Sequence, residues 1–333
     1  MDVRLVEVPG AFELAEWREL LDLDPTRHIF ATPEWNRIWW EEFGPGMRTF
    51  VLIFHDPHPV ALAAFTVDDT GEGRRLRFLG GDDLTDYLGP VIAGAEHRPA
   101  VAEALLKYLR DEFDDWSYFD TKCLPVPFGF SEWLVEAADR LGMLSGLELH
   151  ELTAVLALPG SFEDYMDGLS SKKRHELSRK MRRFDRELPG AGLRTSDRDS
   201  LENDLASFMD LHKGSEGPKG EFFLPRRASF FTRVALTMEP MGLLSLDFLE
   251  LDERILAATF SFEFDGIFYL YNSAYDLDLK PVSPGLVLVA KLIERSIQQR
   301  MRRFDFLRGR ERYKFDLGAE ALPLHSVMIR PPG

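Results

Sequence analysis

Ser283, Pro284 and Gly285 open an apolar segment, Leu286 to Gln299, and together they have the composition of a helix start that holds anions. Serine is a good N-cap, and proline suits the first helical position because it has no N–H to strand there. Glycine next lets a ligand reach the backbone, leaving free amides around Gly285 and Leu286 facing outward. Such a start attracts phosphates above all, although an ordinary capped helix reads the same way. Group transfer to an amine or hydroxyl also needs a group to accept the acceptor's proton and one to protonate the leaving group. Asp305, on the strand directly after this helix, is the first candidate, with a structural aspartate as the equal alternative. Glu263 is a weaker base and Tyr275 a proton donor. Tyr271, Tyr275 and His212 are candidate substrate contacts in this half, Asp86 and Tyr87 in the other.

The elements around these residues follow from pattern. Asp265-Gly266 as a two-residue turn pairs Phe264 with Ile267, Phe262 with Tyr269 and Phe260 with Tyr271. The aromatics then share one face, joined by Tyr275 if no bulge intervenes, while Ser261, Glu263 and Asn272 fall on the other. Helices are expected at 12–21, 33–43, 101–113, 131–141, 162–169, 172–188, 201–212 and 226–238, and strands near 3–8, 75–79, 87–92 and 152–158. The mixed stretch Gly214 to Leu224 reads as a mobile loop.

Two segments resemble each other. Phe50–Val67 and Phe248–Phe264 each give a strand, a short turn and a second strand with a Leu-Ala-Ala core. Each is followed by further strand, an amphipathic helix and a strand containing Phe-Asp, at Phe119-Asp120 and Phe304-Asp305. This is the order of a diverged duplication of one α/β module, with domains expected at 1–148 and 149–333. Before its helix the first copy has Glu96 and no Ser-Pro-Gly, and a carboxylate there repels phosphate. The donor site therefore belongs to the second copy, and a scaffold or acceptor-side role to the first.

The chain has 333 residues, 45% hydrophobic and 29% charged, with a net charge of −16 that argues against nucleic-acid binding through its whole surface. Positive charge is concentrated in the second half. Eight Lys/Arg stand between Lys172 and Arg186 against Glu176 and Asp185, and a second cluster contains Arg308 and Lys314, candidate contacts for donor phosphates. One cysteine, Cys123, cannot pair internally or form a cysteine-cluster metal site, so no metal is expected. Without an apolar run of about 20 residues or a signal-like N-terminus, a cytoplasmic location is expected.

Ala31-Thr32-Pro33-Glu34-Trp35, Trp39-Trp40, Phe43-Gly44, Arg77 to Gly81 and Asp86-Tyr87-Leu88 resemble the N-terminal half of the CelD/BcsL-type (BioF-like) acetyltransferases. Leu169 to Arg174, Ser283-Pro284-Gly285, Phe304 to Gly309 and Tyr313-Lys314 match that family's later markers. The resemblance implies two tandem GNAT (acyl-CoA N-acyltransferase) modules, each a mostly antiparallel mixed sheet flanked by helices, related to Fem-type aminoacyl transferases. By that analogy acetyl-CoA or another acyl-CoA binds at Ser283, Pro284, Gly285 and Leu286, and a small-molecule or saccharide acceptor is acylated by direct attack. This sequence departs from the pattern in having a phosphate turn poorer in glycine and Lys213-Gly214-Ser215-Glu216 after Leu211-His212. Two alternatives stay open: an aminoacyl-tRNA-dependent transferase, and an inactive pair serving as scaffold or sensor.

Overall fold

The computed structural model of the chain describes residues 1–215 and 220–332, so residues 216–219 of the expected loop lie outside the described residues. The chain divides into two units, Met1–Leu152 with Leu322–Gly333, and Thr153–Ala321. The first contains β1 (Asp2–Glu7), α1 (Ala15–Leu23), α2 (Pro33–Phe43), β2 (Arg48–His55), β3 (Pro59–Thr70), β4 (Gly73–Phe78), β5 (Val91–Ile92), α3 (Arg98–Asp111), β6 (Tyr118–Pro125) and α4 (Phe130–Arg140). After β7 (Leu144–Ala157) come α5 (Phe162–Gly168), α6 (Ser171–Glu187), β8 (Gly192–Thr195), α7 (Leu201–Lys213) and α8 (Pro225–Met238). The order then runs β9 (Leu244–Leu251), β10 (Arg254–Phe264), β11 (Ile267–Tyr275), α9 (Pro284–Gln298), β12 (Arg303–Arg308), α10 (Arg312–Asp316) and β13 (Glu320–Arg330).

Each unit repeats one topology. In the first, β2, β3 and β4 form an antiparallel meander, and α3 carries the chain to β6, which lies parallel to β4. In the second, β9, β10 and β11 form the meander, and α9 leads to β12, parallel to β11. The strand beside β6 is Leu324–Ile329, from the end of the chain; the strand beside β12 runs from Thr153 to Ala157. Residues 322–333 thus belong to the first unit rather than to the expected 149–333 domain. Pairing across some 200 residues is a long-range choice that local pattern does not encode.

Local chemistry explains the elements. Thr32 caps α2 through its side-chain oxygen, with Pro33 in the first turn. Most expected helices match within two or three residues, although the first begins at Ala15 after a 3-10 turn. The expected strand 87–92 shrinks to Val91–Ile92, because Tyr87 is drawn into an aromatic cluster with His28 and Phe30. No helix among the described residues is long and apolar enough to cross a membrane.

His28 is buried in the first unit with its ring edge-on to Tyr87, and burial pushes its imidazole down to about 3. Unfolded, it titrates at its ordinary 6.5. The unfolded chain therefore binds the extra proton between these values, and the fold loses stability as pH falls from 6.5 toward about 3. His28→Gln should flatten that part of the stability curve in denaturant unfolding; an unchanged slope would assign the acid sensitivity elsewhere.

Candidate active site

The apolar stripe of α9, including Val287, Leu288, Leu292 and Ile293, packs on Phe268 and Leu270 of β11 and Phe304 and Phe306 of β12. That packing fixes where the helix begins. Pro284 occupies its first turn as expected, but Ser283 makes no side-chain cap; it stands in the left-handed region at φ 56°. The first helical bond runs from the Val287 amide to the Ser283 carbonyl at 3.1 Å. Among the described residues no backbone acceptor takes the amides of Gly285 and Leu286, which are half-buried. Gly285 lies against the Tyr275 ring so closely that a Cβ there would stand 3.1 Å from its Cδ1.

β11 reaches this corner through a bulge. Phe264↔Ile267 and Phe262↔Tyr269 pair as expected, but Phe260 pairs with Asn272, not Tyr271. One extra residue inverts the parity of everything beyond it. Tyr271 keeps its ring on the Phe231 and Phe262 side, and Asn272 joins that side, its Oδ1 accepting from His212 Nε2 at 2.9 Å. Tyr275 is turned to the α9 side, where it meets Gly285. Beyond Tyr269↔Asp305 the parallel pairing of β11 with β12 ends, and the two strands diverge.

The remaining candidates separate. Asp305 is buried, and its Oδ1 accepts from the Leu307 amide at 2.8 Å, supporting a residue held at φ 58°. Alternation with Phe304 and Phe306 puts it on the face away from α9, beside Tyr269, whose hydroxyl is pushed up by burial and then by the Asp305 charge. Glu263 sits 3.7 Å from Arg295, near the far end of α9, and burial raises its carboxyl above the ordinary value. Arg295 stands eleven positions after Pro284 along the helix, about 16 Å away. Glu263 and the Ser283 turn are therefore not brought together. Lys314 is buried, its ammonium donating to the Arg308 carbonyl at 2.6 Å and pairing with Glu311 at 2.9 Å. Arg308 is half-buried at the end of β12, paired with Thr153. His212 is fully buried among Phe208, Phe222 and Phe223, and Asp86 and Tyr87 are buried in the first unit.

The basic run that starts at Lys172 and the second basic cluster, which includes Arg312, meet at a cavity that the sequence pattern did not place. A cavity of about 290 Å³ adjoins Leu286 in the first turn of α9 and is lined by Lys172, Lys173 and Lys180 of α6 and Arg312 of α10. The Lys172-Lys173 pair at the start of α6 was the available signal, but nothing local tells which face of that helix meets α9. Among the described residues no group of three His, Cys, Asp or Glu is placed to hold a metal ion.

Asp305→Ala should cost about 1–3 kcal/mol in denaturant unfolding, because it strands a buried amide. Unchanged stability with lost activity would instead make Asp305 a chemical participant.

Residues 171–315 match the family described as Acetyltransferase (GNAT) domain. A search of curated proteins finds no match. Among solved structures, FemX is similar at TM-score 0.68 and 11% identity, covering 97% of this chain and 96% of that one. L-PGS from Bacillus licheniformis gives 0.56 and 13%, covering 96% and 91%. A tandem GNAT protein from the clavulanic acid biosynthesis pathway gives 0.52 and 11%, covering 100% and 99%. At such identities the likeness shows the fold. Residues 171–315 thus match a GNAT domain model, within a fold of two such modules.

Proposed function

We propose that the second unit transfers an acyl group, acetyl in the simplest case, from acyl-CoA to an amine or hydroxyl of a small-molecule or saccharide acceptor. The observation that carries this reading is the bare start of α9. Two amides without intrahelical acceptors stand behind an uncapped Ser283 in a backbone conformation uncommon for a non-glycine residue, the kind of outlier that collects at functional corners. A diphosphate supplies the missing acceptors and meets the positive end of the helix.

The parting of β11 and β12 supports the rest of the donor. The ladder of β11 with β12 stops at Tyr269↔Asp305, and an extended arm carrying amides can continue it beyond that point as a strand does. This directs the thioester toward the bulge at Tyr271, where a strand amide can polarise its carbonyl as the acceptor attacks. Direct attack gives a tetrahedral intermediate; the acceptor's proton leaves to solvent water, and the C–S bond breaks to expel the CoA thiolate. Tyr275, set against Gly285, is the group we assign to protonate that thiolate and then recover its own proton from solvent. Asp305 serves by holding the turn of β12 rather than by proton transfer.

Calorimetry with acetyl-CoA should show saturable binding by the wild-type protein, weakened at least about tenfold by Gly285→Asp, which places a carboxylate at the amides. Tyr275→Phe should leave that binding nearly unchanged while lowering turnover about 10²- to 10⁴-fold. Absence of binding at millimolar acetyl-CoA would overturn the proposal.

A second reading, with aminoacyl-tRNA as donor, draws on α6, whose Arg174, Arg179, Arg182, Arg183 and Arg186 lie on its polar faces. Several are already matched with carboxylates: Arg174 with Asp167, Arg179 with Glu176, Arg183 with Glu187. A salt-sensitive mobility shift with tRNA would favour it, and indifference to tRNA at low salt would remove it.

A further inference from the structure

The cavity beside α9 has a charge that the helix start does not account for. Four cations, Lys172, Lys173, Lys180 and Arg312, face two carboxylates, Glu176 and Asp316, which leaves two positive charges in the wall of a chain with net charge −16. The carboxylates are engaged already, Glu176 with Arg179 at 2.8 Å and with Lys180 at 3.8 Å, and Asp316 with Arg312 at 3.4 Å. Lys180 and Arg312 would therefore exchange or share these surface pairs with a ligand. Lys173 is committed as well, donating to the Phe315 carbonyl at 2.7 Å. Lys172 is exposed and makes no ion pair among the described residues. The rest of the wall is apolar or aromatic, supplied by Leu177, Leu286, Tyr313 and Leu317. A flat apolar group bearing a phosphate dianion matches that combination.

Position narrows the ligand further. Leu286 both lines the cavity and carries one of the open amides of α9, so whatever fills the cavity continues from whatever binds those amides. Resting on the donor reading above, we infer that the α6–α10 cavity takes the 3′-phosphoadenosine end of CoA. Lys172, Lys180 and Arg312 hold the 3′-phosphate, and Leu286 and Tyr313 flank the base. The site then selects donors that carry the 3′-phosphate over those that end at the diphosphate. Exposed single pairs contribute little, but several cations converging on one dianion in a recess give charge-assisted bonds that do.

Parallel calorimetric titrations of the full chain with CoA and with 3′-dephospho-CoA test this. Wild type should bind CoA about tenfold or more tightly than 3′-dephospho-CoA. The double variant Lys172→Ala/Arg312→Ala, checked for an unchanged melting temperature, should lower CoA affinity to the dephospho level and leave 3′-dephospho-CoA binding as it was. Equal wild-type affinity for the two compounds, or equal weakening of both in the variant, overturns the cavity's assignment while keeping the donor reading. If wild type takes up neither, the donor reading fails and this assignment falls with it. Should the double variant unfold, Lys172→Gln alone, on an exposed side chain, must still narrow the ratio between the two compounds.

Discussion

The second unit depends on one helix being held at both ends. At its far end Arg295 forks onto Asp247, fully buried, which also accepts from Thr195 at 2.6 Å and Ser245 at 2.8 Å. At its near end Gly285 lies against Tyr275. Between them Val287, Leu288, Val289, Leu292, Ile293 and Ile297 are buried, contributing about 9–18 kcal/mol as an upper bound. A missing N-cap costs about 1 kcal/mol, so the packing easily tolerates an uncapped start. The open amides are consequently fixed in place rather than frayed, which is what preorganised anion binding requires.

The same topology in the first unit ends differently. Its crossover helix α3 follows a 3-10 turn containing Glu96, whose carboxylate lies over Gly94 and would meet a Cβ there at 2.5 Å. Where β4 and β6 part, the intervening chain reaches β6: the Leu88 amide donates to the Cys123 carbonyl at 3.0 Å. The Ile92 amide is taken by Asp24 at 3.0 Å. Backbone amides are taken up internally here, whereas those of Gly285 and Leu286 at the start of α9 have no backbone acceptor among the described residues. Two copies of one module thus differ in whether their own chain supplies the missing hydrogen-bond partners.

Much of this was legible in the sequence because it is local. The cap and proline of α2, the Asp265-Gly266 turn with its first two cross-strand pairs, and the start of α9 all depend on neighbours within a few residues. The module order survived because it rests on repeated local patterns. What failed was nonlocal. The bulge at Tyr271 lies in the pairing of β10 with β11, and it puts Asn272 and Tyr275 on faces opposite those that simple alternation gives. Asp305 and Lys314 carry chemistry-bearing side chains, yet backbone groups of Leu307 and Arg308 use them first. The α6–α10 cavity needed two helices, 125 residues or more apart in sequence, to be seen side by side.

The central claim concerns two amides, and their proton resonances report on it directly. In a transverse-relaxation-optimised ¹H–¹⁵N spectrum, addition of CoA should move the Gly285 and Leu286 amide protons strongly downfield, as expected when phosphate oxygens become their acceptors. Saturating CoA that shifts resonances elsewhere but leaves these two in place would contradict the account.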